Sequence, residues 1–332
     1  MDRLGLDPFL NTHFRDWKLG HTSVASVGAG VRYHVNSDGG VIQTWRRVER
    51  LGSDSFGHVW KERGLDGRTL NHVRVVKQLR KDRPNFIQSS RRELYALTTF
   101  SKRTAPEHHK LFVQLLNWYE DRECLFLTME YVRHGDLQRY IEIGTKFPDR
   151  QAPLITGQIA SALQYMHTKG FVHRDLRPSN ILVAAEGPAW SVKLADFGIA
   201  TNVEDTWPSK DYIRTSGYMA PEMVDSPQYY TTAVDVWALG AVVFCLLVGI
   251  PHFHKLDDML GYCAGIRQFP TSVLGASTEL SIDFILNAMD PVPDKRMSIQ
   301  KALNHKWLHV IEDASVVEHR YVRAHSDLAH PV

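Results

Sequence analysis

The sequence predicts an α+β protein of two lobes, a small strand-rich N-terminal lobe with one main helix and a larger helical C-terminal lobe. Three observations carry that expectation. Short β-branched runs between Gly-containing turns occupy residues 45 to about 132. Beyond Gly135, apolar residues recur at helical spacing instead. A length of 332 residues suits two lobes sharing a cleft as well as one large domain.

Taken in order, residues 1–44 are rich in Gly, Ser, His and Asn, with breakers at Gly28, Gly30, Gly39 and Gly40. They read as an irregular or hairpin-like extension. Val48, Leu51, Val59 and Trp60 flank a Gly-rich turn and suggest a hairpin. Gly64 to Gly67 supplies another turn before the strand Val73-Arg74-Val75-Val76-Lys77. Phe86, Leu94, Leu97 and Phe100 fall at helical spacing over 86–100. Leu111–Leu116 and Cys124–Tyr131 read as two further strands. Leu154, Ile155, Ile159, Ala160, Leu163 and Met166 then mark one helix, which Gly170 ends. Tyr229–Leu247, Ser281–Ala288 and Ile299–Leu308 complete the helical half, leaving a tail over 309–332.

Composition excludes several classes. Hydrophobic residues at 43% and charged residues at 23% are ordinary for a globular chain. A net charge of +2 gives no reason to expect a nucleic-acid partner. The run from Val236 to Pro251 is too short for a bilayer span, which needs about 20 residues. The first residues lack an uninterrupted apolar stretch, so no secretory signal is expected. Three scattered cysteines fit a reducing compartment, cytoplasmic or nuclear.

The chemistry is concentrated in three motifs. His173-Arg174-Asp175-Leu176 is followed by Asn180, Asp196-Phe197-Gly198 comes later, and Ala220-Pro221-Glu222 later still. In this order and at these spacings they resemble the eukaryotic protein kinases of serine/threonine type. The resemblance covers about residues 45–308, with the N-lobe over about 45–132 and the C-lobe over about 133–308. It implies a bilobal kinase-like fold with an ATP cleft between the lobes, ATP and Mg2+ as cofactors, and protein substrates. A looser likeness to filamentous-fungal Ser/Thr kinases rests on residues 37–52, 75–81 and 129–137.

That resemblance assigns roles residue by residue. Asp175 would orient and deprotonate the acceptor hydroxyl, while Asn180 and Asp196 would bind magnesium. Lys77 would hold the α- and β-phosphates, paired with Glu93. Leu51, Gly52, Gly57, Val59 and Val75 would cover the nucleotide, Met129 would be the gatekeeper, and Glu130 and Val132 would meet the adenine edge. Asp136 would accept a bond from ribose or a substrate cation. Thr215 would bond to Asp175 and Arg177, which favours Ser/Thr over Tyr as acceptor. Glu222 would pair with Arg296, Asp235 would support the catalytic-loop backbone, and Leu97, His173 and Phe197 would stack through the core. Asp211 falls at the usual activation-loop phosphosite.

Three positions depart from the family pattern. Asp54 replaces a glycine, Val75 an alanine, and Arg177 a lysine. Their alternative implication is a pseudokinase that binds nucleotide or acts as a scaffold. Lys77, Glu93, Asp175, Asn180 and Asp196 argue for catalysis. A small-molecule kinase of related fold is the third reading, against which Ala220-Pro221-Glu222 and Arg296 stand.

Overall fold

The computed structural model describes residues 14, 23–27, 30–35, 41–53, 57–83, 86–101, 106–145, 147–148, 150–202, 217–225, 231–251, 253, 255–275 and 277–310. The chain divides into two compact units. The first holds residues up to Arg133 together with Ala195–Ala200, and the second holds the rest. The sequence reading assigns residues 195–200 to the C-lobe; their packing groups them with the N-terminal unit instead.

The N-terminal unit is a seven-stranded antiparallel sheet with one main helix. Its strands are β1 (Ser23–Val27), β2 (Val31–Val35), β3 (Val41–Ser53), β4 (Gly57–Gly64), β5 (Val73–Arg80), β6 (Leu115–Glu120) and β7 (Cys124–Glu130). Their order is β1-β2-β3-β4-β5-β7-β6. The hairpin β1–β2 thus joins the same sheet as the later strands, through pairing of Val31–Val35 with the start of β3. Helix α1 (Phe86–Phe100) buries Glu93, Leu94, Leu97 and Phe100 on one face, the spacing that its sequence requires. A short helix α2 (Pro106–His109) follows.

One strand lies later than expected. Leu111–Gln114 is irregular, and β6 begins at Leu115, where Trp118 and Tyr119 turn to opposite faces and both are buried. The irregular stretch has its own polar partners: Gln114 N–H donates to the Glu130 carboxylate at 2.9 Å, and Gln114 Nε2 to the His109 and Phe112 carbonyls at 2.6 and 2.7 Å. Trp118 also donates its indole N–H to the Phe14 carbonyl at 2.9 Å, and Phe14 is only 4% exposed beside Tyr95 of α1.

The C-terminal unit is mainly helical. It contains α3 (Leu137–Glu142), α4 (Ala152–Thr168), β8 (Phe171–Val172), β9 (Ile181–Ala185), β10 (Ser191–Leu194), β11 (Thr201–Asn202), α5 (Glu222–Asp225), α6 (Ala233–Val248), α7 (Leu256–Cys263), α8 (Glu279–Ala288) and α9 (Ile299–Leu303). Helix α6 is buried on nearly every side, from Val234 to Leu246, and packs on α4 and α8. That explains its continuous apolar run. Gly249 (φ +89°) closes it in the left-handed conformation and donates to the Cys245 carbonyl at 2.8 Å. Among the described residues, no helix is long and apolar enough to cross a membrane. Helix α9 stops at Leu303; Asn304 and His305 interrupt the expected helix, and helical conformation resumes over 306–310.

Candidate functional site

Strand β5 builds the first part of the site. Alternation sends Val75 and Lys77 to one face and Arg74, Val76 and Gln78 to the other. Lys77 is 4% exposed, and its Nζ donates to Glu93 Oε1 at 2.7 Å and to Asp196 Oδ1 at 2.9 Å. A buried ammonium requires such partners, because desolvation without them is costly. Glu93 is itself buried on the inner face of α1, whereas the Asp196 side chain is 39% exposed. Asp196 holds φ +60°, a region that non-glycine residues seldom adopt and that is concentrated at functional sites. Gly198 lies against all three charges. A Cβ there would be 3.3 Å from Asp196 Oδ1 and 3.4 Å from both Glu93 Oε2 and Lys77 Nζ. Phe197 is buried against the rings of Phe100 and Phe112, with centroids 5.3 and 6.2 Å away.

The remaining nucleotide-face candidates sit on adjoining strands. Val59 stands opposite Lys77, and Val75 opposite Met129, so the four share one face. Gly52 pairs with Val59, and Leu51 beside it is exposed. Gly57 has a steric reason: a Cβ on it would fall 1.7 Å from the Gln78 carbonyl oxygen. Glu130 ends β7 with its N–H donated to the Gln114 carbonyl at 3.0 Å, and Val132 is buried just beyond. Asp54 lies outside the described residues, as do Thr215 and Asp211.

The second part belongs to the C-terminal unit. Asn180 Nδ2 donates to the Asp175 carbonyl at 2.7 Å and to Asp175 Oδ2 at 3.1 Å. The side chain of Asn180 thus fixes the residue whose carboxylate would meet the acceptor. Arg177 precedes the 3-10 turn Pro178–Asn180 with extended backbone and is partly exposed. Arg174 adopts φ +68°. That strained turn is held from below by Asp235, which is fully buried. Oδ1 of Asp235 accepts Arg174 N–H at 2.9 Å; Oδ2 accepts His173 N–H at 2.9 Å and meets His167 Nε2 at 2.8 Å. Burial alone would raise the Asp235 pKa, but the bonds and charges of His167 and His173 outweigh it and hold the carboxyl below its ordinary value. His167 had no signal in the sequence: it lies six residues before the motif, but its partner Asp235 comes 68 residues later and meets it only through the packing of α4 on α6.

Asp136 caps α3, accepting Arg139 N–H at 2.9 Å, and burial pushes its carboxyl pKa up. Arg296 makes a two-pronged pair with Glu222, at 2.6 and 3.0 Å, and is buried.

Comparison with known proteins matches this arrangement to the family described as "Protein kinase domain", over residues 45–308. The chain belongs to the protein kinase family. Calcium/calmodulin-dependent protein kinase type 1B of Homo sapiens is 32% identical over 269 residues, covering 78% of this kinase chain and 74% of the relative. Calcium/calmodulin-dependent protein kinase type 1 of Macrobrachium nipponense is 33% identical and Aurora kinase of Debaryomyces hansenii 31%; each alignment covers 60% of this chain. The same alignments cover 58% and 48% of those two relatives, so this chain spans less than two thirds of either. A crystal structure of Rad53 1-466 in complex with AMP-PNP superposes with a TM-score of 0.65 at 28% identity, covering 80% of this chain and 65% of that one. The fold is the protein kinase fold.

Proposed function

We propose that the chain is a serine/threonine protein kinase that transfers the γ-phosphoryl group of Mg-ATP to protein hydroxyls. The observation that carries this reading is Lys77 held between Glu93 and Asp196. Phosphoryl transfer asks a protein for positioned charge more than for covalent help. Glu93 fixes the lysine, so that its ammonium presents to phosphate oxygens without reorganising. Asp175, steadied by Asn180, takes the proton of the attacking hydroxyl and orients it. Arg177 keeps a positive charge beside the catalytic aspartate, as a planar fork in place of an ammonium.

Asp196 and Asn180 are the residues that would hold magnesium. They suit it: both offer hard oxygen donors, and Asn180 turns its Nδ2 toward Asp175, which leaves Oδ1 as its ligating atom. When bound, magnesium would neutralise phosphate charge during transfer. The acceptor type is inferred from a further relative, named serine/threonine-protein kinase DCLK3 of Mus musculus and 33% identical over 61% of this chain and 26% of its own, together with Thr215 in Arg214-Thr215-Ser216-Gly217.

The test is incubation of the chain with labelled ATP, magnesium and casein, beside Asp175→Asn. Label on serine or threonine from the wild type, and background from the variant, is the expected result. Equal label from both proteins, or label confined to tyrosine, would overturn the reading.

A further inference from the structure

Two neighbouring residues of the edge strand β6 face opposite sides of the N-terminal sheet, and the chain before residue 45 reaches both. On the side away from Lys77, β2 lies over Tyr119. The His34 ring meets Tyr119 edge-on at 4.6 Å, and Arg32 donates to Tyr119 Oη at 3.4 Å and sits over the Phe126 ring at 4.2 Å. Arg32 and Arg74 are both buried there, Arg74 at 5.9 Å from the Tyr119 ring. On the other side, Trp118 stands opposite Leu127, Leu127 opposite Lys77, and Lys77 opposite Val59. Directly opposed residues share a face, so Trp118 belongs to the face of the site. Its indole N–H donates to the Phe14 carbonyl at 2.9 Å in a buried bond.

The ring of Phe14 meets a different element. Its centroid lies 6.4 Å from that of Tyr95 on α1. Tyr95 follows Glu93 by two positions, about 200° around the helix. Glu93 is accordingly 3% exposed on the inner face, and Tyr95 is 49% exposed on the outer one. Phe14 therefore has its backbone tied to the sheet and its ring against the outward side of α1. That is the geometry of a strap. At the C-terminal end of α1, Ser101 Oγ accepts Leu115 N–H at 2.7 Å and pins the helix to β6. An outward swing about that point would open the turns that carry Glu93 and Tyr95.

We propose that Phe14 is a positioning residue that keeps α1 seated, so that Glu93 stays on Lys77; its bearing on phosphoryl transfer rests on the kinase reading above. The Lys77–Glu93 pair is buried at 2.7 Å and has its full strength only in that place. Pairing of β2 with β3 tethers the strap to the same sheet, so Phe14 competes for its seat as an intramolecular ligand, at high effective concentration.

The test compares the full chain with its Phe14→Ala and Phe14→Leu variants by hydrogen exchange and steady-state kinetics. Exchange reads the seating of α1 without any activity. In Phe14→Ala, amides of residues 86–100 should exchange about fivefold faster or more, the shift that loss of a buried ring gives a two-state seat. Those of α6 should not change. Phe14→Leu keeps an apolar body and should recover most of the protection. In parallel, kcat/KM for ATP should fall in Phe14→Ala. In a Glu93→Gln background the same substitution should cost less than about twofold more, because the pair it protects is already gone. If Phe14→Ala does not fold, Tyr95→Ala removes the other ring of the contact at a half-exposed helix position and should loosen the same amides. An inactive wild type whose α1 amides still loosen in Phe14→Ala would sink the kinase reading and uphold the strap. Unchanged exchange over 86–100, an equal rise in α6, or a fully additive loss in the Glu93→Gln background would overturn the assignment.

Discussion

Replacing Asp235 by asparagine should separate the anchoring of the catalytic loop from its chemistry. The carboxylate accepts from His173 N–H and Arg174 N–H and meets His167 Nε2, all within 2.9 Å and fully buried. Asparagine has one acceptor oxygen, so its NH2 must face at least one of these donors. Loss of one or two charge-assisted bonds at about 1.5–3 kcal/mol each, with a donor stranded, gives a destabilisation of about 3–5 kcal/mol. In a chain of this size that corresponds to a Tm lower by about 4–7 °C. Arg174 at φ +68° needs the same bond to stay in its strained turn, at a conformational cost of about 1–3 kcal/mol. The loop bearing Asp175 should therefore relax, lowering kcat about 10- to 100-fold through misplacement, with nucleotide affinity preserved. The Asp235 carboxyl is depressed in the fold. Its contribution is thus complete above the unfolded value of about 3.9 and fades as pH falls through the lower folded value. The stability gap between wild type and variant should be full at neutral pH and shrink in acid. Calorimetry and steady-state kinetics are the assays. A Tm change below about 3 °C, or a gap that widens in acid, would refute the reasoning.

Other substitutions probe the rest. Glu93→Gln keeps the shape and removes the charge that fixes Lys77, so kcat/KM for ATP should fall about 10- to 100-fold, measured by initial rates. Gly57→Ala places a Cβ 1.7 Å from a strand carbonyl, whereas Gly52→Ala meets nothing within 4 Å. The first should lower Tm by several degrees and weaken nucleotide binding, and the second should leave Tm unchanged. Burial raises the thiol pKa of Cys124 and of Cys245, while Cys263 is half-buried. Native alkylation at pH 8, followed by mass spectrometry, should label Cys263 first.

Most of the site was legible because its motifs are local. His173 to Asn180 and Asp196 to Gly198 each fit within a few residues, and their spacing survives in one sequence. What could not be read is what long-range packing adds. His167 reaches Asp235 only through helix contact, and Phe100 and Phe112 enclose Phe197 from α1 and from the irregular stretch before β6. Period-two alternation placed β5 and β7 well, yet β6 was displaced, since Leu111–Gln114 is as apolar as a strand but is held by turn and side-chain bonds: Leu111 N–H donates to the His108 carbonyl and Gln114 N–H to the Glu130 carboxylate. The N-terminal hairpin carries ordinary turn signals; that it covers a buried arginine cluster depends on Tyr119 and Phe126, which come some ninety residues later.

That hairpin has a practical consequence: homology and folding draw different borders. The family match begins at residue 45, yet β3 starts at Val41 and takes its ladder partner from Val31–Val35. A fragment trimmed to the match would turn β3 into a bare edge and wet the ring faces of Tyr119 and Phe126 around Arg74. Unpaired apolar edges recruit other chains. Recombinant versions cut there should therefore clump at concentrations where versions retaining residues 14–44 stay monodisperse.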